Sequence, residues 1–275
     1  MTPDRYQKLL REFDALISHA RAISDRLVGR PIKQKSLSYS DAIYTKLICH
    51  GISLRKLSPS LDPRQIPELW DVASACAVAR ALIEAYDALA YIGVHQVESP
   101  EREFRILLWE LHDQQRRLAM LEKIGSADPR VADIQKRVGD LTAELTANSF
   151  YSCAPKEVRG KVSRGEAPAM HLSQRDLNAA SGINHDYYVA TTMWLSQYVH
   201  TFPLSLHQLM HFRAGESDAL HVSSMPLQYS MPFLAKAIEG IVEVWPEGEI
   251  EPSEEVESIL RSWLEIAKNG VRNAG

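Results

Sequence analysis

The sequence predicts an all-α protein: a multi-helix bundle of about eight to ten helices with no significant sheet. Three observations predict it. Apolar residues recur at helical spacing from one end of the chain to the other. Strand-like alternation is nowhere sustained. Glycine is sparse, 13 in 275 residues.

Thr2-Pro3 is a helix start, a cap residue with proline in the first turn. Leu9, Leu10, Phe13, Leu16, Ile17, Ala20, Ile23 and Leu27 follow at helical spacing until Gly29 and Pro31 stop them. Ser40-Asp41 is expected to open a second helix that runs to about Leu57, and Ser58 to Pro63 a turn. From about Glu68 to Tyr91 the pattern changes: Val72 to Ala90 is alanine-rich and apolar on nearly every face, the pattern of a central helix surrounded by others. Yet Arg80, Glu84, Asp87 and Tyr91, spaced four, three and four, share one stripe of it. Charges on such a helix are costly unless paired.

Ser99-Pro100-Glu101 starts the next helix and Gly125 ends it. Phe104, Leu107, Leu108, Leu111, Leu118 and Leu121 make its apolar face, with Arg105, Trp109, His112 and Arg116 beside it. Asp128-Pro129 opens a charged helix to about Ala147. Asn148 to Met170 is expected to be a break. Its basic part (Lys156, Arg159, Lys161 and Arg164) is a surface connection, or else a lid or phosphate-contacting loop. Ser173 to Ala180 is a short helix before Gly182.

A helix from about His185 to Thr201 must end or kink at Pro203, which lacks the amide donor; Leu204 to Phe212 continues beyond it. After a turn at Gly215, Leu227 to Val244 is helical with an interruption near Pro232. Pro252-Ser253-Glu254 opens a last amphipathic helix through Ile259, Trp263 and Ile266. The acidic C-terminal third reads as a solvated face. These elements suggest one domain over residues 1–275, with flanking helices in 1–60, a core bundle in 68–212 and C-terminal helices in 227–270. A split near Asn148 is the alternative.

A composition of 45% hydrophobic and 24% charged residues is that of an ordinary globular chain. The net charge of -4 argues against a dedicated DNA-binding protein. Cys49, Cys76 and Cys153 are odd in number and lack a CxxC pair, so neither a disulfide framework nor a cysteine zinc site is expected. No basic-then-apolar leader opens the chain, and no window approaches the ~18 apolar residues of a membrane span. The expectation is a cytoplasmic protein with no membrane partner and no cofactor.

The most unusual window is 184–211. Thr192, Ser196 and His200, spaced four and four, lie on one helical stripe, with Tyr188 leaning to the same side. No Gly-x-Ser-x-Gly surrounds Ser196, so it is not a hydrolase nucleophile elbow. His200 is either a satisfied histidine at a helix end or an acid/base group. Arg80 and Glu84 are either an ion pair that fixes helix register or the charged floor of a pocket. The stripe is expected to aim at that pair.

His200, His207 and His211 would suit zinc or iron on one continuous face, but Pro203 interrupts it. No metal set is assigned, and His207 and His211 stand as secondary candidates. Arg105 and His112, with six residues between them within a helix, fit the loose Arg-x(4–6)-His pattern of metal-independent ribonucleases of the HEPN class. In those enzymes the arginine stabilises phosphate charge and the histidine activates the ribose hydroxyl or positions the phosphate.

Three pieces carry a wider resemblance. They are Ala79 to Glu84 with Tyr91-Ile92 after it, the helix with Glu103 and Arg105, and Tyr187-Tyr188 leading into Leu195-Ser196-Gln197-Tyr198-Val199-His200-Thr201-Phe202-Pro203. From about Trp70 to Leu209 the chain resembles an uncharacterised bacterial all-helical family, the domain of unknown function numbered 5677. The resemblance implies that Arg80, Glu84, Ser196 and His200 are matching motif positions that meet in space. A fold-level likeness to HEPN-type bundles, found in bacterial toxin and phage-defence systems, accompanies it.

Three functions follow as expectations. The first is a buried Arg/Glu/Ser/His site cleaving RNA without metal. Its acid/base group is His200 or His112, and Arg80 or Arg105 holds the phosphate. The second is a non-catalytic binding or homo-oligomerising bundle whose polar cluster is structural. The third is a histidine-based metal-binding bundle.

Overall fold

The computed structural model describes residues 1–32, 34–61, 70–211, 213 and 216–271. The expected turn at Asp62-Pro63, the helix start near Glu68, Phe212 and the turn at Gly215 lie outside the described residues. The described residues contain eleven α-helices and no strand, so the all-α class holds with slightly more helices than expected. In chain order they are α1 (Pro3–Leu27), α2 (Lys35–Leu57), α3 (Val72–Leu89), α4 (Ser99–Lys123), α5 (Arg130–Ala147), α6 (Lys156–Ser163), α7 (Gln174–Ser181), α8 (His185–Val199), α9 (Pro203–His211), α10 (Ser217–Val244) and α11 (Glu254–Asn269).

The chain forms two compact units: residues 1–94 with 178–275, and residues 95–177. Asn148 does not mark a boundary. It lies inside the second unit, where its side chain accepts from Phe150 N and caps a 3-10 turn over Ser149–Cys153.

In the first unit α2, α8 and α10 pack on α3. The core face of α3 runs through Ala75, Cys76, Ala79, Leu82, Ile83, Tyr86 and Leu89, all buried. Asp71 caps its start by accepting from Ser74 N at 2.9 Å. Its C-terminal end passes into a π-helical turn, Ala90–Val94. Small residues allow close approach there. A side chain on Gly93 would collide with Ser40 Oγ, and one on Gly240 would meet Val94 Cγ2 at 2.7 Å. Thr2, Asn184 and Ser253 cap α1, α8 and α11 in the same way as Asp71.

Three local expectations are corrected. First, α2 begins at Lys35, so Ser40 is interior to it, buried, and bonded back to the Ser36 carbonyl at 2.8 Å instead of capping. Second, α10 begins at Ser217 and runs unbroken through Pro226 and Pro232. Each proline removes one amide donor, but 17 residues of this helix are buried, and that packing outweighs the two lost bonds. Third, the expected basic loop contains α6. Val158 and Val162, one turn apart, are buried, while Lys156 and Arg164 face solvent.

In the second unit, Phe104, Leu107, Leu108 and Leu111 of α4 meet Leu141 and Leu145 of α5. Ala154, Val158, Val162 and Ala167 close that core. Leu118 and Leu121, also expected on the apolar face, are only half-buried.

Candidate functional site

The first unit brings a polar cluster together where α3 meets α8. Both members of the charged pair sit one turn apart on α3, and Arg80 Nε donates to Glu84 Oε1 at 2.9 Å. Arg80 Nη1 donates to the Thr192 carbonyl at 3.2 Å and to the Ser196 hydroxyl. Ser196 Oγ in turn donates to the Thr192 carbonyl at 2.6 Å, and Thr192 Oγ1 donates to the Tyr188 carbonyl at 2.9 Å. The stripe of hydroxyls is thus bonded along α8 and tied to α3 through one guanidinium.

This cluster is not buried. The Arg80 and Glu84 side chains are 33% and 58% exposed, which places the pair at the rim of the α3–α8 contact and not beneath it. Below it lies a buried pair, Tyr188 Oη donating to Asp87 Oδ2 at 2.7 Å. Burial, and then the neighbouring Asp87 charge, push the Tyr188 phenol well above its ordinary range. Asp87 stood on the same sequence stripe as Arg80 and Glu84, and that spacing was the available signal.

His200 does not join the cluster. The helix ends at Val199 and His200 is its C-cap, exposed, its ring 5.5 Å from that of Phe202. Thr201 then takes a left-handed φ of 54°. His200 N still donates to the Ser196 carbonyl at 3.0 Å, so the residue keeps its place after Ser196, but its side chain lies in solvent.

His207 and His211 are exposed on α9. Among the described residues no three or more His, Cys, Asp or Glu side chains are grouped as a metal site. Nor does any described helix have the length and apolarity to cross a membrane.

The second unit holds a more deeply buried network. Arg105, 3% exposed, donates from Nε and Nη2 to Glu101 Oε1 at 3.0 and 2.5 Å, and its Nη1 lies 3.2 Å from His95 Nδ1. His171 Nε2 is 3.8 Å from the same Glu101 oxygen, and its ring is edge-on to Phe104 and Phe150. Burial, reinforced by the Arg105 charge, lowers His95 and His171 each to about 4. His112 lies two turns along the helix from Arg105. Its Nδ1 is 2.7 Å from the Ala167 carbonyl, which can only accept, so Nδ1 carries the proton and Nε2 is the basic nitrogen. Sequence reading found Arg105 and His112 but not His95, Glu101 or His171. The Glu101–Arg105 spacing was legible; the two histidines, far apart in sequence, gave no sign of converging.

A groove of about 730 Å³ runs beside Arg5, Lys8 and Trp263, and one of about 430 Å³ beside Met120 and Arg130. Neither is lined by Arg80, Glu84, Ser196 or His200. No family model, curated protein or solved structure matches this chain.

Proposed function

We propose that this protein is a non-catalytic helical module that acts by binding, and that its Arg80–Glu84–Ser196 cluster sets the register of α8 on α3. One observation carries the reading. The Arg80 guanidinium is engaged by Glu84, Ser196 and the Thr192 carbonyl, while His200, the acid/base member of the expected quartet, lies exposed beyond the end of α8. An arginine held this way positions two helices; it does not wait for a phosphate. The test pairs unfolding with catalysis. Arg80→Ala and Ser196→Ala lower stability, and purified protein leaves single-stranded RNA intact with or without His200→Ala.

A second reading, metal-independent cleavage of RNA, is favoured by His112. Its ring is oriented by the Ala167 carbonyl, as a general base requires. The phosphate would then need a cation other than Arg105, which is buried on Glu101. RNA cleavage that disappears in His112→Ala would establish this reading in place of the first.

A further inference from the structure

The basic stretch between α5 and α7, in the second unit, leaves two cations without a counter-charge. Its Lys, Arg, Asp and Glu residues are Lys156, Arg159, Lys161 and Arg164 against Glu157 and Glu166. Both carboxylates are taken: Lys161 Nζ lies 2.7 Å from Glu157 Oε1, and Arg164 Nε lies 3.6 Å from Glu166 Oε2. Lys156 and Arg159 remain, and among the described residues no group accepts from either side chain. They stand three apart on α6, which puts their Cβ atoms about 5–6 Å apart on one side of the helix.

Arg159 is half-buried, and its Nε is shielded from water with no acceptor in reach. The cause is local. Val158 and Val162 plug α6 into the core of the second unit. The stem of Arg159, between them in sequence, runs along the edge of that core while its Nη groups reach solvent. A shielded donor on a charged group is costly to leave unmet. Native proteins meet nearly all of them, with an ion or a water where protein atoms do not serve.

We propose that Lys156 and Arg159 form a phosphate-binding site on α6. The site is separate from the Arg80 cluster of the first unit and stands whichever function that cluster serves. Phosphate fits these donors better than a carboxylate does. A carboxylate has two oxygens in one plane, and a single guanidinium fork uses both. A phosphate group arranges its oxygens around a tetrahedral centre, so two can take Nε and Nη of Arg159 while another faces Lys156 Nζ. Its negative charge also answers two cations that the chain itself leaves unanswered. The chemistry recognised is the phosphate group, whether free, on a small ester or in an RNA backbone.

Calorimetric titration of the full chain with inorganic phosphate, against sodium chloride of matched ionic strength, tests the site. One saturable site is expected. Arg159→Gln and Lys156→Gln should each weaken it by about 10-fold, the loss of one charge-assisted bond. Lys156 is exposed, so its variant keeps the test valid even where Arg159→Gln disturbs the core. Glu157→Gln with Lys161→Gln, which removes a pair already neutral, should leave the affinity unchanged. A single-stranded oligouridylate without terminal phosphates separates the sources. Binding of this RNA that free phosphate displaces and Arg159→Gln weakens assigns the site to backbone phosphate; phosphate binding without RNA binding assigns it to free phosphate or a small ester. Heat from phosphate no greater than from chloride overturns the proposal and leaves a water as the partner of Arg159 Nε. So does acetate binding as tightly as phosphate, or an affinity that Lys156→Gln and Arg159→Gln leave unchanged.

Discussion

Arg80 of α3 and Ser196 of α8 are joined by a hydrogen bond across 116 positions of sequence. The serine hydroxyl accepts from the guanidinium and donates to the Thr192 carbonyl one turn earlier. One side chain thereby reads the rotation of α8 and transmits it to α3. A slip of α8 by one residue would carry Ser196 about 100° around the helix and break the contact.

Ser196→Ala is therefore expected to cost about 1 kcal/mol, the usual net worth of such a bond, and Arg80→Ala a similar amount. The double variant should cost less than the sum, because both remove the same interaction. His200→Ala, at an exposed cap, should stay within about 0.5 kcal/mol of wild type. Urea unfolding of the wild type and these four variants measures each cost; a His200 variant weaker than the Ser196 variant would contradict the assignment.

Tyr188→Phe is expected to cost about 1–3 kcal/mol. It deprives a carboxylate that is only 6% exposed of its phenol donor. The loss should shrink when Asp87→Asn is already present, since the charge to be satisfied is gone. Equal losses in both backgrounds would argue against a Tyr188–Asp87 coupling.

Gly240→Ala is expected to destabilise by about 1–3 kcal/mol. The new Cβ would lie 2.7 and 2.9 Å from the two methyls of Val94, a β-branched side chain with little freedom to move. Adding Val94→Ala should recover most of that loss, and failure of this rescue would locate the strain elsewhere.

Acid should weaken the second unit through His95 and His171. Both are held at about 4 in the folded protein, by burial first and the Arg105 charge second, against about 6.5 when unfolded. Between those values the unfolded chain binds more protons, so stability rises with pH there. The contribution is complete above about 6.5 and is lost as the pH falls to about 4, on the order of 2–3 kcal/mol for each histidine. Unfolding free energies measured across this window should slope upward, and the slope should fall in His171→Gln. A flat profile would mean the imidazoles are not buried as neutral groups.

The helices announced by local chemistry were legible in the sequence. Thr2, Ser99 and Ser253 lie at or within one residue of the helix starts they mark, and Gly125 and Gly182 stop helices with left-handed backbones. The apolar girth of α3 identified the helix on which others pack. Half of the candidate cluster was legible too, because i to i+4 spacing is fixed by helix geometry: Arg80 with Glu84, and Thr192 with Ser196. The exposure of His200 was not legible, because spacing along one helix says nothing about how far its neighbours cover it.

What the sequence determined by itself was the set of helices and which face of most of them is apolar, since capping, proline chemistry and periodicity act within a few residues. Only the tertiary structure decided whether Pro226 and Pro232 interrupt α10, which groups meet Arg105 and Arg80, and how far each is shielded from water. Those outcomes depend on burial against residues tens to more than a hundred positions away, and burial is a property of the packed chain. The 184–211 window shows the division within one stretch. Its residues supplied the hydroxyl stripe, and packing joined that stripe to Arg80 while leaving His200 and the apolar side chains of α9 in solvent.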